Sequence, residues 1–140
     1  MMRHRYLVWP IVAGVWASGV LWLVFNNFLT HRGEFGATAH PLEHWWLLAH
    51  GAFAFASLWL LGFLSVAHVA GRWAWRRQRG SGLALLVVYI WLVITGYLLY
   101  YAGDEQFRAA VSLGHWTVGA TALFFLLLHR RLRRTARAQR

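Results

Sequence analysis

Eight of the 140 residues are histidine, and four of them stand where histidine is costly. His50, His68, His115 and His129 belong to long apolar runs, and ionisable side chains inside such runs usually serve a function or pair with a partner. An imidazole can ligate a metal, carry a proton or bridge two helices by a hydrogen bond. Spacing separates these uses. At about 100° and 1.5 Å per residue, His50 and His68 are five whole turns apart, on one helix face and about 27 Å from each other along the axis. His115 and His129 are about 40° short of four turns on a straight helix, and in phase on a supercoiled helix of period 3.5. His4, His31, His40 and His44 fall in tails, loops or run edges and read as solvated polar residues.

The two His-bearing runs are expected to be parallel, for the topological reason given below. Each then presents one imidazole near the outer leaflet and one near the inner. His50 faces His115, and His68 faces His129. Two neutral imidazoles across a gap are what an axially ligated haem iron requires, and a bundle core between helices is a usual place for such a group. Small residues accompany them: Gly51, Ala54, Ser57, Gly62 and Ser65 in one run, and Gly114, Gly119 and Ala122 in the other. They make room for a disc, although small residues also let plain membrane helices pack closely. A zinc or copper centre needs three or four donors at one point, and the chain has no Cys. A proton relay usually adds Asp or Glu within the runs, and none is there. The spacings of 18 and 14 residues differ by about 6 Å of rise. Helix and haem tilt absorb that, or another residue substitutes: His4 for His68, or His44 for His50. The expectation settles on His50 and His115 for an outer haem, and on His68 and His129 for an inner one.

The elements that must position these residues are legible from charge. Hydrophobic residues make up 59% of the chain and charged ones 13%, with a mean hydropathy of +0.45. A soluble protein this small cannot hide so much apolar surface. Residues 6–30, 45–71, 80–103 and 109–128 contain no Asp, Glu, Arg or Lys. Each is long enough to cross about 30 Å of hydrocarbon as a helix. The expected fold is all-α, a four-helix transmembrane bundle forming one membrane domain over residues 1–140. Its spans are at about 6–29, 45–70, 82–103 and 109–129, and a basic tail covers 130–140. No internal repeat is evident. Span one has a basic start, and Ala37-Thr38-Ala39 imitates a cleavage site, but its apolar stretch is too long for a typical signal peptide. It is expected to be retained, with Pro10 in its first turn.

The net charge of +10 is carried by 14 cations, all of them Arg, and four acids. Read as a total, it points toward nucleic acid. Read by position, it does not. Arg3, Arg5, Arg72, Arg76, Arg77, Arg79, Arg130, Arg131, Arg133, Arg134, Arg137 and Arg140 fall on one side of the spans. Only Arg32 and Arg108 fall on the other, with Glu34, Glu43, Asp104 and Glu105. This asymmetry places both termini in the cytoplasm, so spans two and four run parallel. Trp9, Trp45, Trp46, Tyr100, Tyr101 and Trp116 read mostly as an interfacial aromatic belt.

His115 and His129 fourteen apart on the last span, and His50 near the outer end of span two, resemble the four-helix bacterial membrane b-type cytochromes. That group includes the bacterial cytochrome b561 type and the cytochrome b subunits of membrane hydrogenases and formate dehydrogenases. The likeness covers the four-span plan of nearly the whole chain. In those families the fourth ligand often comes from span one, whereas here span two has His68 instead. Gly96-Tyr97-Leu98-Leu99-Tyr100-Tyr101 and the turn Asp104-Glu105 are similar to small relatives of these cytochromes. The resemblance implies a haem protein of the bacterial inner membrane.

The expected function is electron transfer across the bilayer by two b-type haems, between quinol or a partner subunit and a redox partner. Two His on one iron leave no open coordination position. The chain has neither C-x-x-C-H nor a Gly-rich phosphate loop, so it is expected to be an electron-transfer component within a membrane complex rather than a complete enzyme. A quinone beside one haem is compatible with this, with no residue set marking a pocket. Arg72, Arg76, Arg130 and Arg131 either neutralise propionates of the inner haem or set topology and meet anionic lipid. Arg32, Arg108, Tyr100 and Tyr101 are the outer counterparts. The rival reading is a non-catalytic subunit that stabilises a larger complex, with structural His. A transporter is disfavoured for want of an inverted repeat, a broken helix or an intramembrane acid. A nucleic-acid role is disfavoured because the Arg tail directly follows a span, where basic segments meet head groups.

Overall fold

The structure is a computed structural model that describes residues 5–29, 31–33, 36–64 and 79–138. Helix α1 covers Arg5–Phe28, α2 covers Pro41–Leu64, α3 covers Arg79–Tyr101 and α4 covers Glu105–Ala138. Each is long and apolar enough to cross a membrane, giving the fold of a multi-pass membrane protein. The only additions among the described residues are two three-residue strands between α1 and α2. Strand β1 (His31–Gly33) pairs antiparallel with β2 (Gly36–Thr38), and His31 stands opposite Thr38. The Ala37-Thr38 part of the signal-like tripeptide therefore lies within this ribbon.

Among the described residues, the scarcity of buried apolar side chains fits a lipid environment. Leu60 is the one buried hydrophobic side chain among the described residues. Large side chains in mid-helix stand outward, with Phe55 76% and Phe124 64% exposed. In water such surface would be untenable. In hydrocarbon it is neutral, and association rests on close packing and interhelical hydrogen bonds.

The chain divides into two compact units, residues 1–71 and 72–140. In the first, α1 packs against α2. Phe25 meets Trp46, Ser18 meets His50, and Gly14 meets Phe53. As one helix descends the other climbs, so the two are antiparallel. In the second unit α3 packs against α4. Gly96 faces His115 and Leu92 faces Gly119, again antiparallel.

Helices α2 and α4 begin four residues before their charge-free runs. His40 Nδ1 accepts the Leu42 N–H at 3.1 Å, so a histidine caps α2, and Pro41 takes the first position, where its missing N–H costs nothing. Asp104 Oδ1 accepts the Phe107 N–H at 2.7 Å, a regular N-cap for α4. Glu43 and Glu105 occupy the first turns, where the helix dipole favours acids. Helix α4 also runs on through the basic tail to Ala138. Pro10 is not in the first turn: α1 begins at Arg5, making Pro10 its sixth residue. The Tyr6 carbonyl loses its usual donor there, at an end where Tyr6 is 79% exposed.

Candidate functional site

Hydroxyls inside a membrane helix normally bond back to a carbonyl of their own helix. Ser57, Thr117 and Thr121 do so. Ser18 and Thr95 do this and more. They are the two polar side chains buried among the described residues, and each meets a histidine of the neighbouring helix.

In the first unit, Ser18 Oγ donates to the Gly14 carbonyl at 2.6 Å. His50 Nδ1 lies 2.9 Å from the Val15 carbonyl oxygen and 3.3 Å from Ser18 Oγ. A carbonyl only accepts, so the Nδ1 proton of His50 is donated to it. In the second unit, Thr95 Oγ1 donates to the Trp91 carbonyl at 2.7 Å. His115 Nδ1 lies 2.9 Å from the same hydroxyl oxygen, which is also 3.3 Å from the Leu92 carbonyl oxygen. Both histidines thus direct Nδ1 at a group of the neighbouring helix, and for His50 the carbonyl partner places the proton on Nδ1.

A glycine follows each hydroxyl. A Cβ at Gly19 would stand 2.9 Å from His50 Cε1, and one at Gly96 would stand 3.3 Å from His115 Cε1. Both rings thus lie against bare backbone. The two units repeat one device: a Ser-Gly or Thr-Gly pair on the first helix holds a histidine of the second. His50 is the tenth residue of α2, and His115 the eleventh of α4.

The sequence identified the two rings and missed their holders. The hydroxyl-to-histidine separations are 32 residues in one unit and 20 in the other, because the ribbon lengthens the first connection. A search at constant period cannot find such a repeat. The detectable signal was a hydroxyl followed by glycine in mid-span, once in each hairpin.

Of the small residues singled out in the sequence, Gly114 and Gly119 admit α3. Their Cβ positions lie 3.3 Å from the Trp91 ring and 3.7 Å from Leu92 Cδ2, and Trp91 Nε1 donates to the Gly114 carbonyl at 3.4 Å. Gly51 and Gly62 have nothing within 4 Å of a Cβ.

His129 is half-buried on α4, the helix that also carries His115. His44 is exposed in the first turn of α2, with its ring against Trp45. His68 and His4, together with Arg72 and Arg76, lie outside the described residues. Among the described residues, no three His, Cys, Asp or Glu side chains gather as a metal ion would need. No family model matches the chain, and neither does any curated protein or solved structure.

Proposed function

We propose that the chain is a membrane-embedded di-haem b-type cytochrome that passes electrons across the bilayer. Its exchange partners are quinol or a partner subunit on one side and a redox partner on the other. Its place is a bacterial cytoplasmic membrane, with both termini on the cytoplasmic side, as the Arg distribution favours. The proposed ligands are His50 and His115 for an outer haem, and His68 and His129 for an inner one.

The observation that carries this reading is the matched setting of His50 and His115, each with Nδ1 against a group of the neighbouring helix. Metal-ligating histidines almost always donate their other ring N–H to a carbonyl or another fixed acceptor, which sets ring orientation and raises ligand basicity. His50 does so here through the Val15 carbonyl, and His115 has its Nδ1 2.9 Å from the Thr95 hydroxyl. The donor set is what a b-type haem takes: two imidazoles, in a chain without a thiolate. When bound, a bis-histidine haem supplies one-electron transfer with no open coordination position. The chain's own contribution is to hold the rings. Val15 and Thr95 meet Nδ1 of the two rings, and Gly19 and Gly96 let the rings seat. The bare backbone at Gly51, one residue from His50, leaves the adjoining helix face open.

The same bonds favour a second reading, in which the histidines are structural. An imidazole bridging two helices is a known way of holding membrane helices together, and the chain is then a subunit stabilising a larger complex. The reduced-minus-oxidised spectrum of the purified chain, with pyridine haemochrome quantitation, decides between them. Two b haems per chain support the cytochrome. A colourless protein leaves the structural reading standing.

A further inference from the structure

Close to its basic end, α4 carries an apolar column on the side turned away from α3. At 100° per residue, Phe124, Leu127, Leu128 and Arg131 fall within about 100° of one another. His115, which packs against Thr95 of α3, lies about 170° from the middle of that column. Phe124, Leu127 and Leu128 are all exposed. With Arg130 and Arg131 they line a groove of about 310 Å³. The apolar stretch of α4 ends at Arg131, which is where hydrocarbon gives way to head groups.

We infer that this groove is a binding site for one anionic phospholipid. The acyl chain lies along Phe124, Leu127 and Leu128, and the phosphate meets the guanidinium groups of Arg130 and Arg131. Two features select this occupant. The groove changes from apolar to cationic along the helix axis, as a lipid changes from tail to phosphate. Guanidinium also takes a phosphate in a two-pronged geometry that a zwitterionic head group offsets with its own cation. The site turns Arg131 away from the helix face that carries His115 and His129, and so assigns it to lipid rather than to a propionate. This inference is independent of the haem reading.

The test uses the full-length chain, delipidated in detergent and titrated with phosphatidylglycerol or with phosphatidylcholine of the same acyl chains. Native mass spectrometry counts the lipid retained. The expected result is preferential retention of one phosphatidylglycerol. The double variant R130Q/R131Q weakens that retention roughly 30-fold, in line with about 1 kcal/mol for each basic residue near a charged membrane surface. R134Q/R137Q removes the same charge further along the basic tail and weakens retention less. Leu127→Asn lowers retention while the charge is unchanged. Equal retention of the two lipids overturns the inference. So does equal loss in the two double variants, which reduces the effect to general charge, or displacement of the lipid by inorganic phosphate alone.

Discussion

The hydroxyl of Thr95 lies 2.9 Å from Nδ1 of His115 and 2.7 Å from the Trp91 carbonyl oxygen. His50 is held differently. Its shorter bond is to a backbone carbonyl, that of Val15, at 2.9 Å, and Ser18 stands farther off at 3.3 Å. One histidine therefore depends on a replaceable side chain and the other on the main chain.

That difference predicts unequal responses. With haem bound as proposed, His115 donates from Nδ1, and Thr95→Val removes its acceptor while leaving the volume nearly unchanged. Haem affinity should fall by about 10- to 100-fold, as for other groups that orient a metal ligand. The midpoint potential of the affected haem should rise as its ligand becomes less basic. Thr95→Ser should restore both. Ser18→Ala should shift the potential less, since the Val15 carbonyl remains. Equal shifts in a redox titration of Ser18→Ala and Thr95→Val would contradict this assignment.

Replacing a ligand should remove a whole haem. His50→Ala and His115→Ala should each abolish the same component of the reduced spectrum, and His129→Ala the other. Haem stoichiometry by pyridine haemochrome checks this. Unchanged haem in all three variants rejects the ligand set.

The glycines beside the hydroxyls should rank by clearance. A methyl at Gly19 meets His50 Cε1 at 2.9 Å, closer than one at Gly96 meets His115 at 3.3 Å. Gly19→Ala should destabilise the chain by about 1–3 kcal/mol, the usual cost of overpacking, and Gly96→Ala by less. Gly51→Ala, whose methyl meets nothing within 4 Å, should be neutral or gain up to about 1 kcal/mol of helix propensity. Thermal denaturation of the apo chain in detergent gives the order.

The Trp46 indole is a further probe. Its Nε1 is buried with no hydrogen-bond partner, while its ring lies 6.3 Å from that of Phe25. An unsatisfied buried donor costs about 1–3 kcal/mol. Trp46→Phe should therefore raise the melting temperature or leave it unchanged, whereas Trp46→Ala should lower it through lost packing.

Asp104→Ala should cost about 1 kcal/mol by removing the cap of α4, measured in the same melts. Asp104→Asn should retain most of the cap.

The four helices were legible because runs without charge are rare and long enough to span. Their starts were not, because a charge-free criterion trims any helix whose first turn holds an acid. Glu43 and Glu105 sit there for electrostatic reasons, and the caps at His40 and Asp104 lie outside the apolar pattern. Strands β1 and β2 were missed because their residues show no strand alternation. The shared side of His115 and His129 on α4 was legible because 14 residues is near a whole number of turns, whereas His68 lies outside the described residues. Ser18 and Thr95 were not legible, since a lone hydroxyl in an apolar run usually bonds to its own helix. Only the packing of a second helix shows which hydroxyl does more.

Helix α4 is unbroken for 34 residues, about 51 Å at 1.5 Å per residue, against a hydrocarbon core of about 30 Å. Arg130 is 15 residues beyond His115, or about 22 Å along the same rod. A rigid rod with a charged collar acts as a depth gauge. Wherever the collar meets the head groups, His115 is held at a set immersion, about three quarters of the way to the opposite face. A one-turn insertion between Gly119 and Phe124 would keep every contact of Thr95 with His115, yet shift that immersion by about 5 Å.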